Sequence, residues 1–158
     1  MKKLFLSFAL LLGLIHSTIA QSDVRLIDGL YKTADGSTFT GEATIEASAD
    51  GSQQKQSIHV VDGLMHGAVS YYHSSGHIEE AGYYIMGKKD GQWTQFAPNG
   101  NKLGEAFYKD GKKDGIWTVW DESGVKRYHM VYSMGKKIDT WKMWDENATL
   151  VSERVYNE

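Results

Sequence analysis

Hydrophobic and polar positions between Gly63 and Tyr156 repeat with a period of 24 residues. Apolar and aromatic residues fall in the columns Val69/Trp93/Trp117/Trp141, Tyr72/Phe96/Trp120/Trp144 and Tyr84/Tyr108/Tyr132/Tyr156. Two further columns hold Gly63/Gly87/Gly111/Gly135 and Gly76/Gly100/Gly124/Ala148. Within a unit, a run at residues 91–96 precedes the turn residues Pro98, Asn99 and Gly100. A second run at residues 103–108 leads into another turn at residues 109–111. Short runs punctuated in this way predict one β-hairpin per unit and a continuous antiparallel meander. Self-similarity at a fixed period predicts an elongated, single-layer, all-β stack, each unit burying its apolar side against its neighbours.

Four units are expected, at residues 63–86, 87–110, 111–134 and 135–158. Residues 21–62 hold a degenerate capping unit, with strands at 41–45 and 58–61 around Asp50 and Gly51. The last unit drifts as well, with Asp139 where Gly67, Gly91 and Gly115 stand and Ala148 in a turn-glycine column. Terminal units expose an edge and are expected to be atypical.

Strands of one kind lie two spacings apart, about 9.6 Å, so each aromatic column is a row of rings too distant to touch one another. Trp93, Trp117 and Trp141 fill the gaps between Tyr84, Tyr108, Tyr132 and Tyr156 if they share a face. Alternation puts Trp117 and Val119 on one face and Trp120 on the other. Each ring can bury about 150 to 250 Å², so the first duty of these rows is core. Trp117, beside Gly115, is expected to cost about 3 to 5 kcal/mol on truncation if fully buried. Any exposed part of the rows, from Tyr84, Trp93, Phe96, Tyr108, Trp117, Trp120, Tyr132, Trp141 and Trp144, is the candidate binding surface.

Lys2 and Lys3 precede an apolar run at residues 4–15 and a small-residue site at residues 18–20, the pattern of a secretory signal cleaved near Ala20. That run is too short for a bilayer of about 30 Å, so only an uncleaved signal would anchor the chain. The expected location is periplasmic or extracellular. The absence of cysteine leaves packing alone to hold the fold. Without Lys2 and Lys3, 15 basic residues face 20 acidic ones, a formal net charge of −5. An acidic excess argues against nucleic acid as the partner.

His73 and His77 flank the turn at Ser74, Ser75 and Gly76, with His66 upstream, a weak candidate set for zinc or copper. Solvated turn histidines account for them more simply. Residues 110–121 approach a calcium-loop spacing but place Lys112 at a ligand position. Glu79, Glu80, Glu105, Asp121, Glu122, Asp145 and Glu146 supply carboxylates for a hydrolytic pair, yet no acid column repeats. Nucleophile elbow, zincin motif, phosphate loop and cysteine nucleophile are all missing from the sequence. The expectation is therefore no enzyme and no cofactor. Lys88/Lys89, Lys112/Lys113 and Lys136/Lys137 are expected in the inter-unit turns, lining one long edge opposite acidic hairpin tips.

The pattern Gly-Lys-Lys-Asp-Gly-x-Trp, followed by an aromatic and a turn glycine, spans residues 87–100 and recurs at 111–124. It resembles the bacterial variant of the MORN repeat across residues 63–156. The resemblance implies a non-catalytic module for protein–protein or cell-envelope interaction, with lipid contact in some members. It also implies antitoxin-like partners among bacterial relatives, which for an exported chain means an immunity-like role toward an exported toxin. A glycan or small-ligand binder using the aromatic rows is the alternative from another class, and a carboxylate hydrolase the remotest.

Overall fold

The computed structural model describes residues 24–49, 51 and 54–157. The signal segment, its cleavage site and Asp50 lie outside the described residues. Ten strands form one open antiparallel sheet in strict chain order: β3 (Gly41–Ile45), β4 (Gln56–Val61), β5 (Leu64–Tyr72), β6 (Ile78–Ile85), β7 (Lys88–Phe96), β8 (Lys102–Lys109), β9 (Lys112–Trp120), β10 (Lys126–Ser133), β11 (Lys136–Trp144) and β12 (Leu150–Tyr156). A separate hairpin, β1 (Arg25–Ile27) and β2 (Leu30–Lys32), precedes it. The described residues are all-β, built from consecutive hairpins.

Two turn types alternate. Inter-unit turns have only two central residues, as in Met86-Gly87, Asp110-Gly111 and Met134-Gly135, all at positive φ. That combination suits the right-handed twist of the flanking strands. Hairpin tips close on a backbone bond at the column Gly76/Gly100/Gly124, each at φ 86°. Ala148 takes the same place at φ 59°, the strained exception of the last unit. Because the inter-unit turns are so short, the strands start earlier than residues 91–96 and 103–108 suggest. The lysine pairs consequently lie within β7, β9 and β11, not in turns, and residues 112–120 are extended strand instead of a calcium loop.

Each inter-unit turn is tied to the unit before it. Gly87, Gly111 and Gly135 donate their N–H groups to the carbonyls of Met65, Lys89 and Lys113 at 2.7–2.8 Å. Asp90 and Asp114 accept from the N–H groups of Asp110 and Met134. Units are thus coupled to nearest neighbours along the whole edge, the energetics of a stacked array.

The odd strands β5, β7, β9 and β11 each carry a bulge. Residues 66–68 oppose His59, residues 91–93 oppose Gly82, residues 114–116 oppose Phe107 and residues 139–141 oppose Met130. Positive φ at Gly67, Gly91 and Gly115 makes the bulge, and Asp139 adopts it too, at φ 58°. Its carboxylate accepts the N–H of Thr140 at 2.7 Å, the local bond that lets aspartate tolerate this region. Asp139 therefore preserves the unit's geometry where the sequence reads as drift.

The N-terminal cap is more than a degenerate unit. Tyr31 and Phe39 join Ile58, Val60, Val69 and Trp93 in one buried cluster, so the β1–β2 segment covers one sheet face at this end. Backbone bonds from Tyr31 to Gly63, Gly63 to Phe39 and Phe39 to Tyr31 fix it against the first inter-unit turn. Trp93 is 2% exposed, because a Cβ at Gly82 would lie 2.2 Å from its indole and only glycine allows that approach. Trp117 is half-buried, which corrects the expectation of a core ring, because Met130 and Ala106 flank it where Gly82 and Ala106 flank Trp93.

Trp93→Ala should therefore cost about 3 to 5 kcal/mol, and Trp117→Ala roughly 1 to 3 kcal/mol. Denaturant melts of the two variants decide this. Equal losses, or a larger one at Trp117, would contradict the graded burial.

Candidate functional site: an aromatic face overlaid by lysines

The Trp and Tyr columns interleave into one continuous row on one sheet face. Centroid separations run 5.1 Å for Tyr84–Trp93, 6.3 Å for Trp93–Tyr108, 5.1 Å for Tyr108–Trp117, 5.5 Å for Trp117–Tyr132, 5.0 Å for Tyr132–Trp141 and 4.9 Å for Trp141–Tyr156. The planes are tilted or edge-to-face, the arrangements that the ring quadrupoles favour. Bulges make this possible, since two extra residues leave the face unchanged while breaking the ladder locally. At each bulge the indole N–H donates to a backbone carbonyl of the facing strand: Trp93 to Tyr83 at 3.2 Å, Trp117 to Phe107 at 3.0 Å and Trp141 to Val131 at 3.0 Å.

The second lysine of each pair folds over this row. Lys89 Nζ stands 3.6 Å from the Trp93 centroid and 5.4 Å from that of Tyr108; Lys113 stands 4.0 and 4.9 Å from Trp117 and Tyr132. Lys137 stands 4.6 and 5.4 Å from Trp141 and Tyr156, and the Arg154 guanidinium 5.1 Å from Tyr156. Each such contact is worth about 0.5 to 1 kcal/mol at an exposed site. Lysines expected to form an edge stripe are instead part of the aromatic face. Lysines four residues before each Trp were a visible column, but their role depended on knowing that the strand had already begun.

The nine candidate aromatics divide. Tyr84, Trp93, Tyr108, Trp117, Tyr132 and Trp141 share the row, with Tyr156 completing it. Phe96, Trp120 and Trp144 fall on the opposite face by strand alternation, near the hairpin tips. Lys102 and Lys126 lie 5.5 and 5.8 Å from the Trp120 and Trp144 rings. Cover over the row is uneven. The N-terminal cluster reaches as far as Trp93 and packs against Tyr108, whereas Trp117 and Trp141 lie beyond it and remain half-buried.

His73 and His77 face each other across the hairpin tip, the His73 backbone N–H donating to the His77 carbonyl at 2.9 Å, but their rings are engaged by the next tip. Their ring nitrogens donate to the carbonyls of Phe96 and Pro98, each at 2.9 Å, so both tie one hairpin tip to the next. Asn101 does the same one unit on, to Glu122 at 2.8 Å. Among the described residues no group of three His, Asp or Glu side chains is placed to hold a metal ion. The carboxylates are likewise spread: Glu80 bonds Lys89, Glu105 bonds Lys102, and Asp121 closes its own turn and bonds Arg127. Hydrogen bonds from Ser123, with others from Val125 and Arg127, hold the Asp121 carboxyl below its usual range.

Burial pushes the phenols of Tyr31, Tyr71, Tyr108 and Tyr132 up, and for Tyr71 the Tyr84 hydroxyl adds to the effect. Raised folded-state values mean that stability is fully present below the ordinary phenol value of 10.0 and falls as pH rises beyond it, where only the unfolded chain gives up protons. Urea midpoints should drop above about pH 10, and less steeply in Tyr71→Phe. An identical alkaline profile for the variant would show that Tyr71 contributes nothing to it.

No curated protein matches the chain. Two of its hairpins, residues 65–86 and 89–110, match the model of the MORN repeat variant, so these two hairpins are repeats of that type.

Proposed function

We propose that the protein is an exported, non-catalytic repeat module that binds a protein of the cell envelope across its aromatic face. A repeat-based binding role is what the MORN repeat variant suggests. The observation that carries the reading further is the row from Trp117 to Tyr156: four interleaved rings, half-buried except for the buried Tyr132 between the two indoles, overlaid by cations and beyond the reach of the N-terminal segment. Rigid aromatic anchors presented at low entropy cost are the usual energetic centres of protein interfaces. Tilted, lysine-covered rings favour this over a glycan groove, which needs flat ring faces open to a sugar. Export rests on the leader pattern alone.

Purified mature protein should capture a stoichiometric partner from an envelope fraction, and Trp141→Ala should weaken that capture about tenfold. Deleting residues 86–109 removes one unit in register, and the product should stay folded with reduced affinity. Full affinity in both variants would point to a single site elsewhere, around His66, His73 and His77. Mass spectrometry of the native protein should find Gln21 at its start; a cytosolic chain beginning at Met1 would overturn export.

A further inference from the structure

We infer that the uncovered half of the aromatic face, on β9 to β12, recognises an acidic polypeptide segment whose carboxylates seat on Lys113 and Lys137. The inference rests on the reading of this face as the binding surface and specifies the chemistry of what it binds.

The repeat contains its own control. Lys89 lies over Trp93 and is met there by both oxygens of Glu80, each at 3.2 Å. One and two units along, the residues standing where Glu80 stands are Gly104 and Tyr128. Lys113 and Lys137 keep the place over the indole but lose the acid. Among the described residues neither makes an ion pair, and neither does Arg154. The register row that continues from Gly104 runs Val119, Tyr128, Met143 and Ser152, with no carboxylate. Three cations thus stand over the rings outside any ion pair among the described residues, the nearby Asp139 carboxylate being engaged by the Thr140 N–H.

An ammonium already held over a ring loses little freedom when a carboxylate arrives, and beside apolar surface the attraction is less screened than in open water. Glu80 on Lys89 shows the geometry that such a carboxylate would take. Lys113 and Lys137 stand on strands two spacings apart, about 9.6 Å. They are offset along them by two residues, since Tyr132 pairs with Gly115 on β9 and with Lys137 on β11, a step that the long lysine and glutamate stems span. A polyproline-II segment advances about 9.3 Å per turn of three residues. Every third side chain of such a segment points the same way, so acids three residues apart on a segment crossing the strands would face both lysines, with the intervening residues along the flanks of the ring row. A polyanionic surface fits less well. It would also meet the acidic tips at Asp121, Glu122, Asp145 and Glu146 and, without Lys2 and Lys3, an overall charge of −5 (15 − 20), whereas a short segment meets the face alone.

The probe is a short synthetic peptide with glutamate at every third position and Pro-Leu between, paired with its glutamine counterpart. The readout is the indole N–H resonances of Trp117 and Trp141 in the full protein. The glutamate peptide should shift both resonances and bind about tenfold more tightly than the glutamine peptide. Lys113→Gln with Lys137→Gln should abolish that preference, with a melt to verify folding. Glu80→Gln, which frees Lys89 as a third seat, should tighten binding about threefold, a gain that no folding defect imitates. Unchanged affinity in either variant overturns the inference, as does binding of phosphatidylserine vesicles without the peptide. Equal binding of the two peptides overturns the acid preference and leaves the face as a binding surface. Two unmoved indoles overturn the acid preference while the Trp141→Ala capture test decides the face.

Discussion

An indole N–H reaching a carbonyl at a β-bulge is the contact on which this molecule depends. A one-layer sheet has no second layer to bury its apolar side, so its stability must come from side chains packed against each other along the sheet. Rings in one column are too far apart to touch, and a Trp from the intervening strand fills the gap on the same face, the bulge shifting its register so that it packs beside the Tyr. The bulge also breaks the ladder there, and the indole supplies the donor for the carbonyl of Tyr83, Phe107 or Val131. Repetition of one local solution makes the chain a row of coupled neighbours.

The cap and the open end follow from the same constraint. At the N-terminal end, Tyr31 and Phe39 provide the missing layer, and Trp93 is buried against Gly82 beneath it. Beyond Trp93 no segment among the described residues takes that part. The rings there are shielded only by one another and by lysine stems, which bury their methylenes and keep the ammonium at the surface. A face that is stable yet incompletely covered is suited to a partner, and its charge is set by which units retain an acid at the Glu80 position.

Much of the architecture was legible in the sequence because the period fixes where hairpins begin and end. The Trp and Tyr columns were also correctly expected to interleave if they shared a face. What could not be read was register and extent. Whether Trp117 joins Tyr108 depends on a bulge of two extra residues, signalled only by Gly115 and disguised at Asp139, whose side chain reproduces the glycine conformation. Lys88 and Lys89 read as turn residues because the two-residue turn at Met86-Gly87 places a bulky side chain at positive φ, against ordinary preference. The β1–β2 hairpin has three-residue strands and no period, and only the Asp28-Gly29 pair marks it. Full burial of Trp93 but not Trp117 turns on Gly82, a residue outside the recurrent columns.

Native-state hydrogen exchange of the three indole N–H groups tests the account most directly, since each reports one bulge bond and the cover above it. Protection should decrease from Trp93 to Trp117 to Trp141, following the cap toward the open end. Equal protection at all three, or the greatest at Trp141, would contradict a face that is sealed at its N-terminal end and open at the other.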